Sequence, residues 1–188
     1  MTNDEIVRIR TALSAADEPT IREINRQGEV FLSAQLQAGL ASDLRAMTMA
    51  AMLAAVLSFL AGGTASLLAA KIDLGWHLLT IAGLFLGFGC ALLFAIFAAK
   101  PTSFGYAGSN PKHWVSDIEK SYTLIRSLAG QAALYADCIR ENKDVLDRSH
   151  ALLSRCLNCI AFTITGAIGT EFVLELSQVA KTGSFFAS

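Results

Sequence analysis

The chain has 188 residues, 53% of them hydrophobic, and a formal net charge of −1. The near-neutral balance, with the basic residues interleaved among acids, gives no pull toward nucleic acid. The apolar excess is above that of an ordinary soluble domain and is gathered into blocks, which argues for a bilayer rather than a soluble core.

The opening residues Asp4, Glu5, Arg8 and Arg10 are not those of a secretory signal, so the N-terminus is expected to be retained and the first span to act as the insertion signal. Residues 4–16 read as a short amphipathic helix. Asp17 and Glu18 ahead of Pro19 read as an acidic cap and a first-turn proline, so a second helix is expected to start there. Ile21, Ile24, Phe31, Leu32, Leu36 and Leu40 recur near the helical period, and nothing breaks the pattern, so residues 19–70 are predicted to form one long rod.

Residues 46–70 carry no charge, and a helix of that length is roughly 37 Å long, more than a ~30 Å hydrocarbon core. Lys71, Ile72 and Asp73 form a tight polar turn, and residues 74–99 return through the bilayer with His77 near their start. Trp76 falls where an interfacial aromatic belt would place it, and Lys100 with Pro101 ends the return helix. Residues 101–111 are a loop by composition, with Phe104 and Tyr106 able to rest at the interface.

A long helix follows. Ile118, Ile125, Ala132, Ile139, Leu146, Leu153 and Ile160 recur every seven residues, and Leu128, Tyr135 and Cys156 share a companion seam with Ser121, Asn142 and Ser149. That is a coiled-coil-like stripe with polar interruptions. Trp114, Tyr122 and Tyr135 follow the helix period and read as packing residues. The stripe runs into an uncharged stretch at 156–170. With Arg155 snorkelling at one end and Glu171 and Glu175 at the other, residues 152–176 are read as a third span, the alternative being a buried or interfacial helix. Residues 177–188 read as a frayed tail.

The expected fold is thus an all-α helical integral membrane protein. Residues 1–45 are N-terminal cytosolic helices, 46–99 a transmembrane hairpin, 100–151 a cytosolic loop and amphipathic helix, 152–176 a third span and 177–188 a tail. Five basic residues precede the first span, one lies in the turn and eight run from Lys100 to Arg155, which places both charged regions in the cytosol.

Both hairpin helices carry a smooth stripe at four-residue spacing. Ala50, Ala54, Ser58, Gly62 and Ser66 supply one, and Gly83, Gly87, Ala91 and Ala95 the other. Small residues at this spacing let two backbones approach, either within the hairpin or between subunits. Asn158, Thr163, Thr165 and Thr170 are polar at membrane depth and would need neighbouring helices, water in a pore or other subunits as partners. Glu171, Asn158 and Thr165 are candidates for pore or gating positions, and Asp43 and Arg45 for a charged pair at the mouth of the first span.

No catalytic, cofactor-binding or metal-ligating set is expected. The CxxC of Cys156 and Cys159 lacks a preceding strand and further ligands and reads as small buried thiols; with Cys90 and Cys138 these cysteines face apolar or cytosolic surroundings, and no disulfide framework is expected. Phosphate loops and the common hydrolase motifs are absent, and His77, His113 and His150 are scattered.

The order of a cytosolic helix, Ala41-Ser42-Asp43-Leu44-Arg45-Ala46 leading into a span, a tight hairpin and a long cytosolic helix resembles the small membrane effectors of bacterial antiphage systems, of SLATT type or of the Pycsar class. The resemblance implies an inner-membrane homo-oligomer that opens a pore or disrupts the bilayer on a cytosolic signal. The chain departs from that pattern in having no separate nucleotide-sensing domain, so a signal molecule or partner protein would be read by the cytosolic helices. It also departs in its third span. The competing expectation is a non-conducting anchor or adaptor for a cytosolic partner.

Overall fold

The computed structural model describes residues 2–71, 74–100, 102–108 and 110–183, and the described residues contain helices and no strand. Five helices follow one another: α1 (Asn3–Leu13), α2 (Glu18–Ala69), α3 (His77–Ala98), α4 (Pro111–Glu119) and α5 (Leu124–Gly183). Three of them, α2, α3 and α5, are long and apolar enough to cross a membrane. Ile72 and Asp73 of the expected turn, Pro101 and Ser109 of the loop and the tail end 184–188 lie outside the described residues.

The helix starts follow from local chemistry. Thr2 caps α1 through a reciprocal capping box with Glu5. In α2, Pro19 sits in the first turn, where a missing N–H costs nothing, and the helix then runs 52 residues without a break. Asn110 caps α4 and Pro111 is its first residue.

The second long helix corrects the expectation of one rod from the loop onward. Ser121 takes a left-handed φ of 52°, α4 stops at Glu119, and a new helix begins at Leu124. Thr123 precedes it and accepts the Arg126 N–H at 3.4 Å, and the Tyr122 ring in the break lies 3.9 Å from the Arg126 guanidinium carbon. The heptad stripe therefore starts at Ile125. Ile118 falls on α4, is 73% exposed and does not belong to the seam. At the far end the helix continues through Gly183, past the expected start of the tail.

The chain divides into two compact units, residues 1–42 with 101–148 and residues 43–100 with 149–188. In the first, Ile21 of α2 and Leu128, Ala129 and Ala132 of α5 form a buried cluster backed by Leu13, Ala16, Ile24 and Trp114. Full burial of a side chain such as Ile21 or Leu32 contributes about 1.5–3 kcal/mol. Gln35 bonds Asn142, 107 positions away. Gly28 meets Tyr135 at the same separation, and Ile21 and Leu128 share a cluster at the same separation again. A constant offset means that in this unit α2 and α5 run parallel and in one register.

In the second unit α3 runs back against α5. Leu53, Ala91, Ala95 and Cys156 form its buried cluster, Gly87 packs on Thr163, and His77 reaches Glu171, so α3 numbers fall as α5 numbers rise. Two parallel helices need a long return between them, and α3 supplies it. Outside the cluster this unit presents Phe59, Leu86, Phe162 and Ile168, each at least 66% exposed. An apolar surface of that extent is compatible with a multi-pass membrane protein.

Candidate functional site

The α2 stripe facing α5 in the first unit alternates by three and four residues through Ile21, Asn25, Gly28, Leu32, Gln35, Gly39 and Ser42. It is largely small or polar. The large apolar residues Phe31 and Leu40, expected on the packing face, are 53% and 63% exposed. The apolar period picks out Ile21 and Leu32 of this seam but not the small and polar members between them, which only a 3–4 spacing irrespective of polarity reveals.

This seam holds a chain of amides. Asn25 donates through Nδ2 to the carbonyls of Ile21 at 2.9 Å and Leu128 at 3.1 Å, while its buried Oδ1 has no partner among the described residues. Gln35 donates to the Ile139 carbonyl at 3.0 Å, and its Oε1 accepts from Asn142 at 3.3 Å. Asn142 is 1% exposed and bonds both sides of the Gly105 peptide unit, accepting its N–H and donating to its carbonyl, each at 2.8 Å. A buried amide in such a seam fixes register at a cost in stability.

The loop after α3 is therefore latched into the α2–α5 groove. Three close approaches make room for it. A Cβ on Gly39 would stand 2.6 Å from Phe104 Cζ, one on Gly105 would stand 2.8 Å from Cys138 Sγ, and one on Gly28 would stand 2.9 Å from Tyr135 Cδ2. Phe104 thus sits on Gly39, while Tyr106 is 74% exposed. At the far end of the loop Gly108, at φ 105°, donates its N–H to the Tyr135 hydroxyl at 3.1 Å. That hydroxyl also accepts from Gln131 and donates to Glu29 Oε1 at 3.1 Å. Burial pushes the Tyr135 phenol above its ordinary range, and burial together with Glu141 and Asp137 pushes the Cys138 thiol up.

The remaining seam residues are distributed along α5. Leu128, Ala132 and Tyr135 are buried, and Ile125, Ile139, Leu146 and Leu153 are half-buried.

The two smooth stripes of the spans separate. On α3, Ala91 and Ala95 are fully buried and Gly87 receives Thr163 of α5, whereas Gly83 has nothing near it. On α2, Ala50 packs at the cluster, but Ala54, Ser58, Gly62 and Ser66 are exposed. The packed positions of α2 are Met49 and Leu53 instead. Beyond Ala50 the hairpin stripes thus do not face each other, and α5 occupies the smooth side of α3 at Gly87.

The hydroxyls expected at membrane depth are also partnered differently from expectation. Ser58, Thr64, Ser66, Thr163, Thr165 and Thr170 each donate to the carbonyl four residues back, at 2.6–2.9 Å. They require no pore water. Asn158 is exposed on α5 and makes no hydrogen bond among the described residues. Glu171 meets His77 Nδ1 at 3.1 Å, Asp43 is half-buried and Arg45 exposed. Asp43 and Arg45 form no ion pair with each other. Cys156 is buried, Cys159 and Cys138 are half-buried, Cys90 is exposed, and all four are free thiols. Among the described residues no three His, Cys, Asp or Glu side chains converge as a metal site would need.

Comparison with protein-family models, with curated proteins and with solved structures finds no match.

Proposed function

We propose that this chain is a homo-oligomeric protein of the bacterial inner membrane, a pore-forming or bilayer-disrupting effector controlled by its cytosolic helices and without catalytic activity of its own. The observation that carries the reading is Asn158. Its amide stands on the outward face of α5, in line with Thr165 and Gly169, and makes no side-chain hydrogen bond among the described residues. An amide at membrane depth is stabilised when another helix supplies its partner, and the small residues beside it permit that approach. The exposed Ser58, Gly62 and Ser66 stripe of α2 offers a second such face.

Control belongs to the latch. The loop that follows α3 is held by Asn142, Gln35 and Tyr135, so a signal that loosens the α2–α5 seam frees the end of a transmembrane helix. The excess of basic residues on both sides of the hairpin supports a cytosolic N-terminus and a cytosolic latch. The resemblance to antiphage membrane effectors supports the same reading.

The test is direct. In nanodiscs the protein is expected to be oligomeric by light scattering, and Asn158→Leu to shift it toward monomer; induced expression is expected to depolarise cells and the variant to do so less. A wild-type monomer that leaves membrane potential unchanged overturns the proposal. The adaptor reading is favoured by a different observation: the spans' hydroxyls are satisfied by their own backbone, while Val30, Phe31 and Leu40 are exposed on the first unit and could dock a partner protein.

A further inference from the structure

A cleft of about 420 Å³ opens in the first unit between α1, α4 and α5. Its wall includes Arg10 from α1, Lys112, Trp114 and Asp117 from α4, and Gly130 and Gln131 from α5. This volume lies in the range of small-molecule sites, and the mixture of one aromatic wall with a few polar groups is that of a binding cleft.

Arg10 is half-buried and lies across α5 at Gly130, where an added Cβ would be 3.8 Å from its Nε. Asp117, also half-buried, lines the same cleft. Among the described residues neither side chain has an ion-pair partner. Exposed pairs such as Arg22 with Glu18 and Arg26 with Glu23 form elsewhere on this unit, so unpaired, half-buried charges at one cleft stand out. A partly desolvated guanidinium is stabilised by an anion brought to it. Trp114 backs onto the Ile21–Leu128 core and also lines the cleft, which gives its indole a fixed position.

We propose that this cleft binds a small organic molecule with a flat ring and one anionic end, the ring against Trp114 and the anion on Arg10 and Lys112. An anion there meets two cations and one carboxylate, Asp117, a balance that suits a single anionic group and disfavours a polyphosphate. The site stands whether or not the chain oligomerises.

The chain has two tryptophans, so Trp76→Phe leaves Trp114 as the sole reporter. In phosphatidylcholine nanodiscs, phenyl phosphate is expected to change its emission saturably and inorganic phosphate to bind more weakly. Arg10→Gln is expected to weaken phenyl phosphate by about tenfold or more, the loss of a charge-assisted bond. Gly130→Leu, which fills the floor of the cleft, is expected to abolish the signal, and unchanged circular dichroism checks that each variant folds. No saturable change, a change that survives both substitutions, or equal affinity for phenyl phosphate and inorganic phosphate would overturn the proposal.

Discussion

Asn142 grips the Gly105 peptide from both sides, accepting its N–H and donating to its carbonyl at 2.8 Å each. One side chain thereby supplies the hydrogen bonds that a neighbouring strand would give, and it does so from a position 1% exposed. Asn142→Leu is expected to leave the Gly105 groups and the Gln35 amide without partners, at a cost of about 2–4 kcal/mol. The lowered midpoint in detergent unfolding checks this, and an unchanged midpoint would mean that the latch contributes nothing to stability.

Gly39 and Phe104 should behave as a matched pair. A methyl group on Gly39 would press into the Phe104 ring at 2.6 Å, so Gly39→Ala displaces the loop and destabilises by about 1–3 kcal/mol. Phe104→Ala removes the obstacle while leaving a void. In a double-mutant cycle the two changes together should cost less than their sum, and simple additivity would show that the ring is not seated there.

The Cys138 thiol reports on the same loop. Burial and the carboxylates of Glu141 and Asp137 raise it above its usual 9, so little thiolate exists at pH 7 and the alkylation rate should climb as pH passes above 9. In a protein with Cys90, Cys156 and Cys159 replaced by alanine, Asn142→Ala should speed maleimide labelling severalfold by unseating Gly105. Labelling equally fast in both proteins would contradict a latch that covers the sulfur.

Much of this architecture was legible from residue spacing, and its gaps have physical causes. The α2 rod, the return helix and the α5 stripe announce themselves because uncharged length and a seven-residue period survive any packing detail. The α4–α5 break was hidden behind that period: Ile118 fits the repeat by number, yet the left-handed Ser121 and the Thr123 cap rotate it off the seam. The latch was hidden for another reason. Asn142 reads as a polar interruption of the α5 stripe, and Gly28, Gln35 and Gly39 carry no apolar signal, until a loop and a partner helix fill the space they leave. Likewise the membrane-depth hydroxyls looked in need of partners, because a sequence does not reveal that each one bonds its own helix.

Gly87 takes Thr163 of α5 where any Cβ would collide with it, so this position sets how closely α3 and α5 approach. Gly87→Ala should push the helices apart and lower resistance to SDS unfolding, while adding Thr163→Ala to it should recover much of the loss. Failure of the second change to rescue the first would place the close contact elsewhere.

The pairing of His77 with Glu171 at 3.1 Å bears on how many times the chain crosses. His77 opens α3, just after the turn that follows α2, and α5 runs antiparallel to α3 in the same unit, with Gly87 on Thr163 between the Ala91–Cys156 cluster and this pair. The Glu171 end of α5 therefore lies level with the hairpin turn. If α2 and α3 span the bilayer, α5 spans it too, and the chain crosses three times. Cysteines introduced at Ser14 and Ser177 of a cysteine-free protein should label with a membrane-impermeant maleimide from opposite faces of sealed vesicles. Labelling of both from one face would return α5 to the status of an interfacial helix and remove Asn158 from membrane depth, and with it the chief support for assembly within the bilayer.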